Sequence, residues 1–449
     1  MPDVGAPSDA VEALREGALK QSRAHQWVEE LTDAAGPRLA GSPGDAAGVA
    51  WAVAKMQALG LEKVRAEKVS VTHWTRGVES GEVLSPTHHQ LALTALGGSV
   101  PTPRGGIEAE VIEVSSIEDL QHRSRAQVEG KIVFFNAAMQ PDKSGKDYGR
   151  LNPIRGNGAV ESAKLGAVGM VMRSLATSKA RFPHTGMMRY QENVAKIPAA
   201  ALAVPDAELL QRLAANTPLR IRLTLGCGAL PNAESANVIG EVRGREAPKE
   251  IVLLGAHLDS WDLGTGALDD GAGVGVVLEA ARLISLVRPH PRRTIRVVLF
   301  ANEEHGLEGS KSYAAEHQSE LALHAVGLEI DAGTGRVYGM TYLAGANAPS
   351  ILEDIARPLL PLGIPKPVQA LHHGADLIPL RQAGVPMAHL QQDGTHYFDF
   401  HHSADDTFDK IQPADLAQVV AATAVLAYGV AESGSRLEPI PESQRAVPK

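Results

Sequence analysis

Beyond Asn237 the chain alternates between short apolar runs of strand type and longer runs with helical spacing, and few folds accommodate that order. Strand-like runs occupy 250–256, 294–301, 325–330 and 385–390, and helix-like runs occupy 273–287, 310–317, 347–360 and 413–431. Alternation of this kind predicts a mainly parallel sheet with helices on both faces, because parallel neighbours need a crossover and helices supply it. In such sheets ligands bind outside the carboxyl ends of the strands. The chemistry of this chain should therefore sit just after those runs.

The first half reads differently. Residues 8–34 and 44–59 have helical spacing, and Val69-Ser-Val-Thr-His-Trp74 alternates as a strand. From 79 to 231 short β-type runs (108–114, 131–135, 168–172 and 220–225) are separated by Gly, Pro and polar stretches, with one helix-like run at 159–165. At 449 residues the chain exceeds the size at which a single core usually stops growing. The expected organisation is a catalytic domain formed by 1–78 and 232–449, interrupted by a β-rich inserted domain at 79–231.

Bulk composition removes several function classes. The net charge of −9 offers no basic face for nucleic acid. The single cysteine, Cys227, rules out an intrachain disulfide and a sulfur-rich metal site, and reads as a packed thiol. The most apolar window, 416–431, is short for a bilayer and reads as a buried helix, so no membrane span is expected. The opening Met1-Pro-Asp-Val-Gly-Ala-Pro has no basic stretch leading into an apolar one, so the chain as given carries no signal peptide and reads as cytoplasmic.

Metal-ligand types collect where the fold predicts a site. They come in Gly255-Ala-His257-Leu-Asp259, Ala267-Leu-Asp269-Asp270, Asn302-Glu303-Glu304-His305, Glu329-Ile-Asp331 and Phe398-Asp-Phe-His401-His402. Each alone is an ordinary loop. Together they bring several acids to one sheet edge, where like charges repel unless a cation neutralises them.

Two divalent ions fit this count. Two-metal hydrolytic sites hold their ions roughly 3.5–4 Å apart and need a bridging ligand, a role that suits the Asp269 carboxylate. One zinc would take His257, Asp331 and Asp269, and the other Glu304, His402 and Asp269. Three carboxylates against two dications leave one positive charge, which a bridging hydroxide cancels. Glu303 and Glu304 on an extended segment would point opposite ways, so one ligates and the other acts as general base. Asp259 is placed to hydrogen-bond the His257 ring nitrogen that faces away from the metal.

These motifs resemble the co-catalytic zinc exopeptidases, which include leucyl-type aminopeptidases, glutamate carboxypeptidase II and the carboxypeptidase Q branch. Gly36-Pro-Arg-Leu-Ala-Gly-Ser-Pro-Gly44 and Ala383-Gly-Val-Pro386 are similar to that last branch. The resemblance implies zinc ligands at His257, Asp269 (bridging), Glu304, Asp331 and His402, with Glu303 as the base. It selects His402 over His401 and Asp269 over Asp270. Gly130-Lys-Ile-Val-Phe-Phe135 and Ala163-Lys-Leu-Gly-Ala-Val-Gly169 resemble a protease-associated domain. Many relatives carry Tyr where this chain has His401, so His401 either contacts the oxyanion or substrate, or packs. His373 is a further candidate substrate contact, and Asp376 reads as a loop or cap residue.

The implied activity is hydrolysis of dipeptides or short unblocked peptides through a metal-bridging hydroxide, with an aminopeptidase on longer peptides as the alternative. A glutaminyl cyclase would share the fold but use one zinc. A transferrin-receptor-like binding protein would have lost ligands that are intact here. The partners implied are small peptides, and a homodimer is compatible with the family. Such relatives are mostly secreted or extracytoplasmic, so the sequence leaves localisation open.

Overall fold

The computed structural model describes residues 7–215, 217–370 and 374–446. They form two compact units. The first comprises Met1–Val71, Ala233–Asp393 and Thr407–Lys449, and the second Thr72–Asn232 and Gly394–Asp406.

The first unit is built on an eight-stranded mixed sheet. Its order is Glu62–Thr75, Gly228–Val242, Arg293–Phe300, Ala247–His257, His324–Glu329, Met387–Gln392, Val337–Leu343 and Val368–Gln369. The four central strands, from Arg293–Phe300 to Met387–Gln392, run parallel. Val337–Leu343, which the alternation did not suggest, pairs antiparallel with Met387–Gln392. The central runs are apolar at consecutive positions because both faces are covered. Ile251, Leu253, Val298 and Phe300 share a core with Tyr313, Leu377 and Leu380. Residues of opposite parity, Val252, Leu254, Val297 and Leu299, are also fully buried, and helices Ala272–Ser285 and Pro413–Glu432 pack on these strands. The mainly parallel mixed sheet flanked by helices is thus as the sequence predicts. Helix Pro413–Glu432 is long and apolar enough to cross a membrane, yet 83% of its most apolar window is buried inside the protein.

The second unit has its own eight-stranded sheet, with Ile107–Val114, Ile132–Phe135, Gly169–Arg173 and Ala199–Leu202 as four parallel strands. Its 19-residue helix Lys146–Lys164 extends well upstream of the helix-like run at 159–165. Val133, Phe135, Met170 and Met172 join Leu151, Ile154 and Ala159 of that helix in one core. Cys227 is buried, and burial pushes its thiol pKa up.

Candidate active site

The site of the first unit begins where the parallel strands end. Register sets His257 opposite Phe300 and Gly255 opposite Glu329, so His257, the Ala301–Asn302 turn and Ile330–Asp331 leave the sheet along one edge. His257 Nε2 lies 3.1 Å from Asp269 Oδ1 and 3.7 Å from Asp331 Oδ1. Ligand atoms of these three residues all fall within 4.8 Å of one another, a spacing that one metal ion can bridge. Nδ1 of the same ring lies 3.1 Å from the Asp259 backbone carbonyl and 3.7 Å from its carboxylate. Donation from Nδ1 to the carbonyl turns Nε2 toward the acids, and Nε2 is the atom that would meet a metal. Burial opposes a positive charge on His257, but Asp259, Asp269 and Asp331 outweigh it and hold its pKa well above the usual value.

The loop between His257 and Asp269 is pinned from below. Arg38, fully buried, donates to the carbonyls of Leu258, Thr265 and Gly266 at 2.8, 2.6 and 2.9 Å. The peptide between Asp269 and Asp270 is cis. Asp270 turns back into the fold, accepting from the backbone N–H groups of His257 and Gly273.

Glu303 and Glu304 open the short helix Glu303–Gly306, reached through Asn302 in the left-handed region at φ 56°. Asn is among the few non-glycine residues that adopt this conformation readily. The segment is a helical turn rather than an extended one, so the two side chains diverge by about 100° instead of pointing opposite ways. The Asp259 carboxylate caps this turn, accepting from the backbone N–H of Glu303 at 3.0 Å and of Glu304 at 3.3 Å. Trp261 Nε1 donates to Glu304 Oε2 at 2.5 Å. One residue, Asp259, therefore orients both the His257 ring and the paired glutamates.

Three residues in this neighbourhood were not singled out from the sequence as part of the site. Trp261 positions Glu304. Glu329 is buried and accepts from the N–H groups of Asp376 and Leu377 at 3.4 and 3.2 Å. Asp376, read as a loop or cap residue, is fully buried. Burial first, and neighbouring carboxylates second, raise the pKa of Glu303, Glu329 and Asp376 well above the carboxylate range. The signal for Glu329 was present in Glu329-Ile-Asp331, where the acid ends the strand itself. Nothing local in the sequence marks Asp376.

His401 and His402 belong to the second unit. Their rings stack, with centroids 3.5 Å apart. His401 packs against Tyr148, Tyr397 and Phe398. His402 Nδ1 lies 3.3 Å from the Thr185 carbonyl, and the Thr185 N–H donates back to the His402 carbonyl at 2.9 Å. That pairing fits the tautomer with its proton on Nδ1. His373 lies outside the described residues.

Residues 237–427 match the sequence pattern of peptidase family M28. Carboxypeptidase Q of Mus musculus is 38% identical over 418 residues, covering 93% of this chain and 87% of the relative. The chain belongs to peptidase family M28. A crystal structure of a peptidase M28 precursor from Shewanella amazonensis SB2B is similar throughout, with a TM-score of 0.95 and 44% identity over 97% of this chain and 99% of that one. The zinc aminopeptidase BSAP from Bacillus subtilis shares the fold, with a TM-score of 0.66 and 22% identity over 94% and 98% of the two chains. Membership of M28, with relatives that include carboxypeptidase Q, makes the chain a zinc metallopeptidase, a hydrolase.

Proposed function

We propose that the protein is a two-zinc exopeptidase that hydrolyses dipeptides or short unblocked peptides. The observation that carries the reading is the His257–Asp269–Asp331 cluster, whose ring tautomer and spacing suit a metal. Imidazole and carboxylate donors without thiolate suit zinc, and the Bacillus relative is a zinc aminopeptidase. His257, Asp269 and Asp331 would hold one ion, and Asp269, Glu304 and His402 the other. Asp269 would be the ligand common to both.

When bound, the ions polarise the scissile carbonyl and acidify water. Glu303 takes the proton of the attacking water and returns it to the leaving amine. Asp259 keeps Glu303 at the head of its turn, and Trp261 fixes Glu304. The similarity to carboxypeptidase Q supports an exopeptidase reading. We further propose that residues 79–231 act as the protease-associated-like insertion and that the functional assembly is a homodimer.

The test is hydrolysis of a dipeptide in free, N-acetylated and C-amidated forms. Dependence on at least one free terminus is expected. Equal cleavage of a doubly blocked peptide would refute an exopeptidase.

A further inference from the structure

From His257 to Trp261 the partners of the chain alternate. His257 lies against Asp269, Asp259 caps the Glu303–Gly306 turn, and Trp261 Nε1 donates to Glu304 Oε2 at 2.5 Å. Leu258 and Ser260, between them, meet Arg38. The Leu258 carbonyl accepts from Arg38 Nε at 2.8 Å. Ser260 exchanges two bonds with the Arg38 backbone, its Oγ accepting at 3.0 Å and its N–H donating at 3.2 Å. A period of two belongs to an extended chain, and the Leu258 N–H still donates to the Phe300 carbonyl of the neighbouring strand. The segment therefore prolongs its strand past the sheet. One side of it faces the site and the other is gripped by a buried arginine.

The indole bond differs from the other two contacts on the site side because it reaches the head group of Glu304. A glutamate hangs on three rotatable bonds, and ordering such a chain is costly. The indole N–H orders it in advance through a charge-assisted bond. Trp261 is itself held in place. It is buried, the His305 ring lies 4.5 Å from its own, and its carbonyl accepts from Ser260 Oγ.

We propose that Trp261 is a positioning residue for the metal centre. By engaging Oε2 it turns Oε1 of Glu304 toward the ion assigned to that residue, and so sets how tightly this ion is held. The proposal rests on the two-zinc reading above. His257, in the ligand set of the other ion, is oriented by the Asp259 carbonyl instead, so the effect of Trp261 falls on one ion of the two. The same bond makes Trp261 a reporter, because indole emission responds to charge arriving at the partner of its N–H. The other tryptophans are engaged elsewhere: Trp74 Nε1 donates to the Ser99 carbonyl, and the rings of Trp27 and Trp51 face Lys55.

The experiment titrates the zinc-loaded full chain with a chelator, comparing wild type with Trp261→Phe, which keeps an aromatic ring and removes the donor. It reads zinc per chain, tryptophan emission, melting temperature and dipeptide turnover. In Trp261→Phe one ion should leave at roughly 10- to 100-fold lower chelator concentration, and the other as in wild type. Melting temperature should stay close to wild type. Wild-type emission should change as the corresponding ion leaves, and that change should be missing from the variant. Added zinc should return the turnover of the variant close to wild type, with KM unaltered. A variant that keeps both ions as tightly as wild type, or loses both equally, would overturn the assignment and leave the two-zinc reading standing. So would a wild type whose emission ignores zinc, whether or not the variant folds. A wild type that holds only one zinc at saturation would instead refute the two-zinc reading itself.

Discussion

Both eight-stranded sheets contain four consecutive parallel strands, yet their carboxyl edges are chemically unlike. In the first unit the strands run out into His257, Asn302-Glu303-Glu304 and Asp331. In the second they run out into Ser115, Asn136, Ser174 and Ala203. There the polar side chains serve the fold: Ser174 Oγ donates to the Leu202 carbonyl, and Asn136 Nδ2 donates to Glu113. The first edge instead gathers buried acids, with Asp259 and Asp269 beside His257. Topology provides the location in both, and only the side chains decide whether it becomes a reaction site.

The contrast can be broken at its most demanding point first. Glu303→Ala should lower kcat about 10²- to 10⁴-fold, the usual worth of a general base, while metal content stays unchanged. Steady-state kinetics with metal analysis reads both.

Asp259→Ala removes the cap of the Glu303–Gly306 turn and should cost roughly 10- to 100-fold in activity or metal affinity. Asn136→Ala at the equivalent edge of the second unit should leave activity close to wild type. Matching losses in the two variants would erase the distinction between the edges.

A smaller effect is expected at the opposite end of the strand that leads to Asp331. His324 is buried, held by the Tyr313 hydroxyl and the Glu320 carbonyl, and burial lowers its pKa to about 4. The folded state keeps it neutral, whereas the unfolded chain protonates it near pH 6.5. The unfolded state therefore binds more protons between these values. Stability should fall by up to about 3 kcal/mol as pH drops from about 6.5 to 4, and level off below. His324→Gln should flatten that part of the denaturation profile without reproducing the kinetic defects of the edge variants.

The smallest effect belongs to Cys227, which is buried with its thiol pKa raised. Thiol reagents should modify it only on unfolding, and activity should survive treatment of the folded protein. Rapid labelling in native buffer would contradict this.

The first edge was legible in the sequence because its chemistry is local to strand ends. An apolar run followed by His257, or by Glu303-Glu304, announces both the strand and its terminus. Boundaries shifted by a few residues, as in Arg293–Phe300 against the expected 294–301. The pairing of Val337–Leu343 could not be read, because an antiparallel neighbour is chosen by tertiary packing rather than by its own pattern. The extended Glu303–Glu304 segment was the wrong premise, since the Asp259 cap that makes it helical comes from another strand end. Asp376, read from the sequence as a loop or cap residue, was misplaced for a related reason: it is buried among residues distant in sequence, and such burial leaves no local mark.

The most direct test of the central claim is zinc content per chain, measured with dipeptide turnover on wild type and Glu303→Ala. The account predicts about two zinc ions per chain in both proteins and turnover only in the wild type. One zinc with full activity, or an active Glu303→Ala, would contradict it.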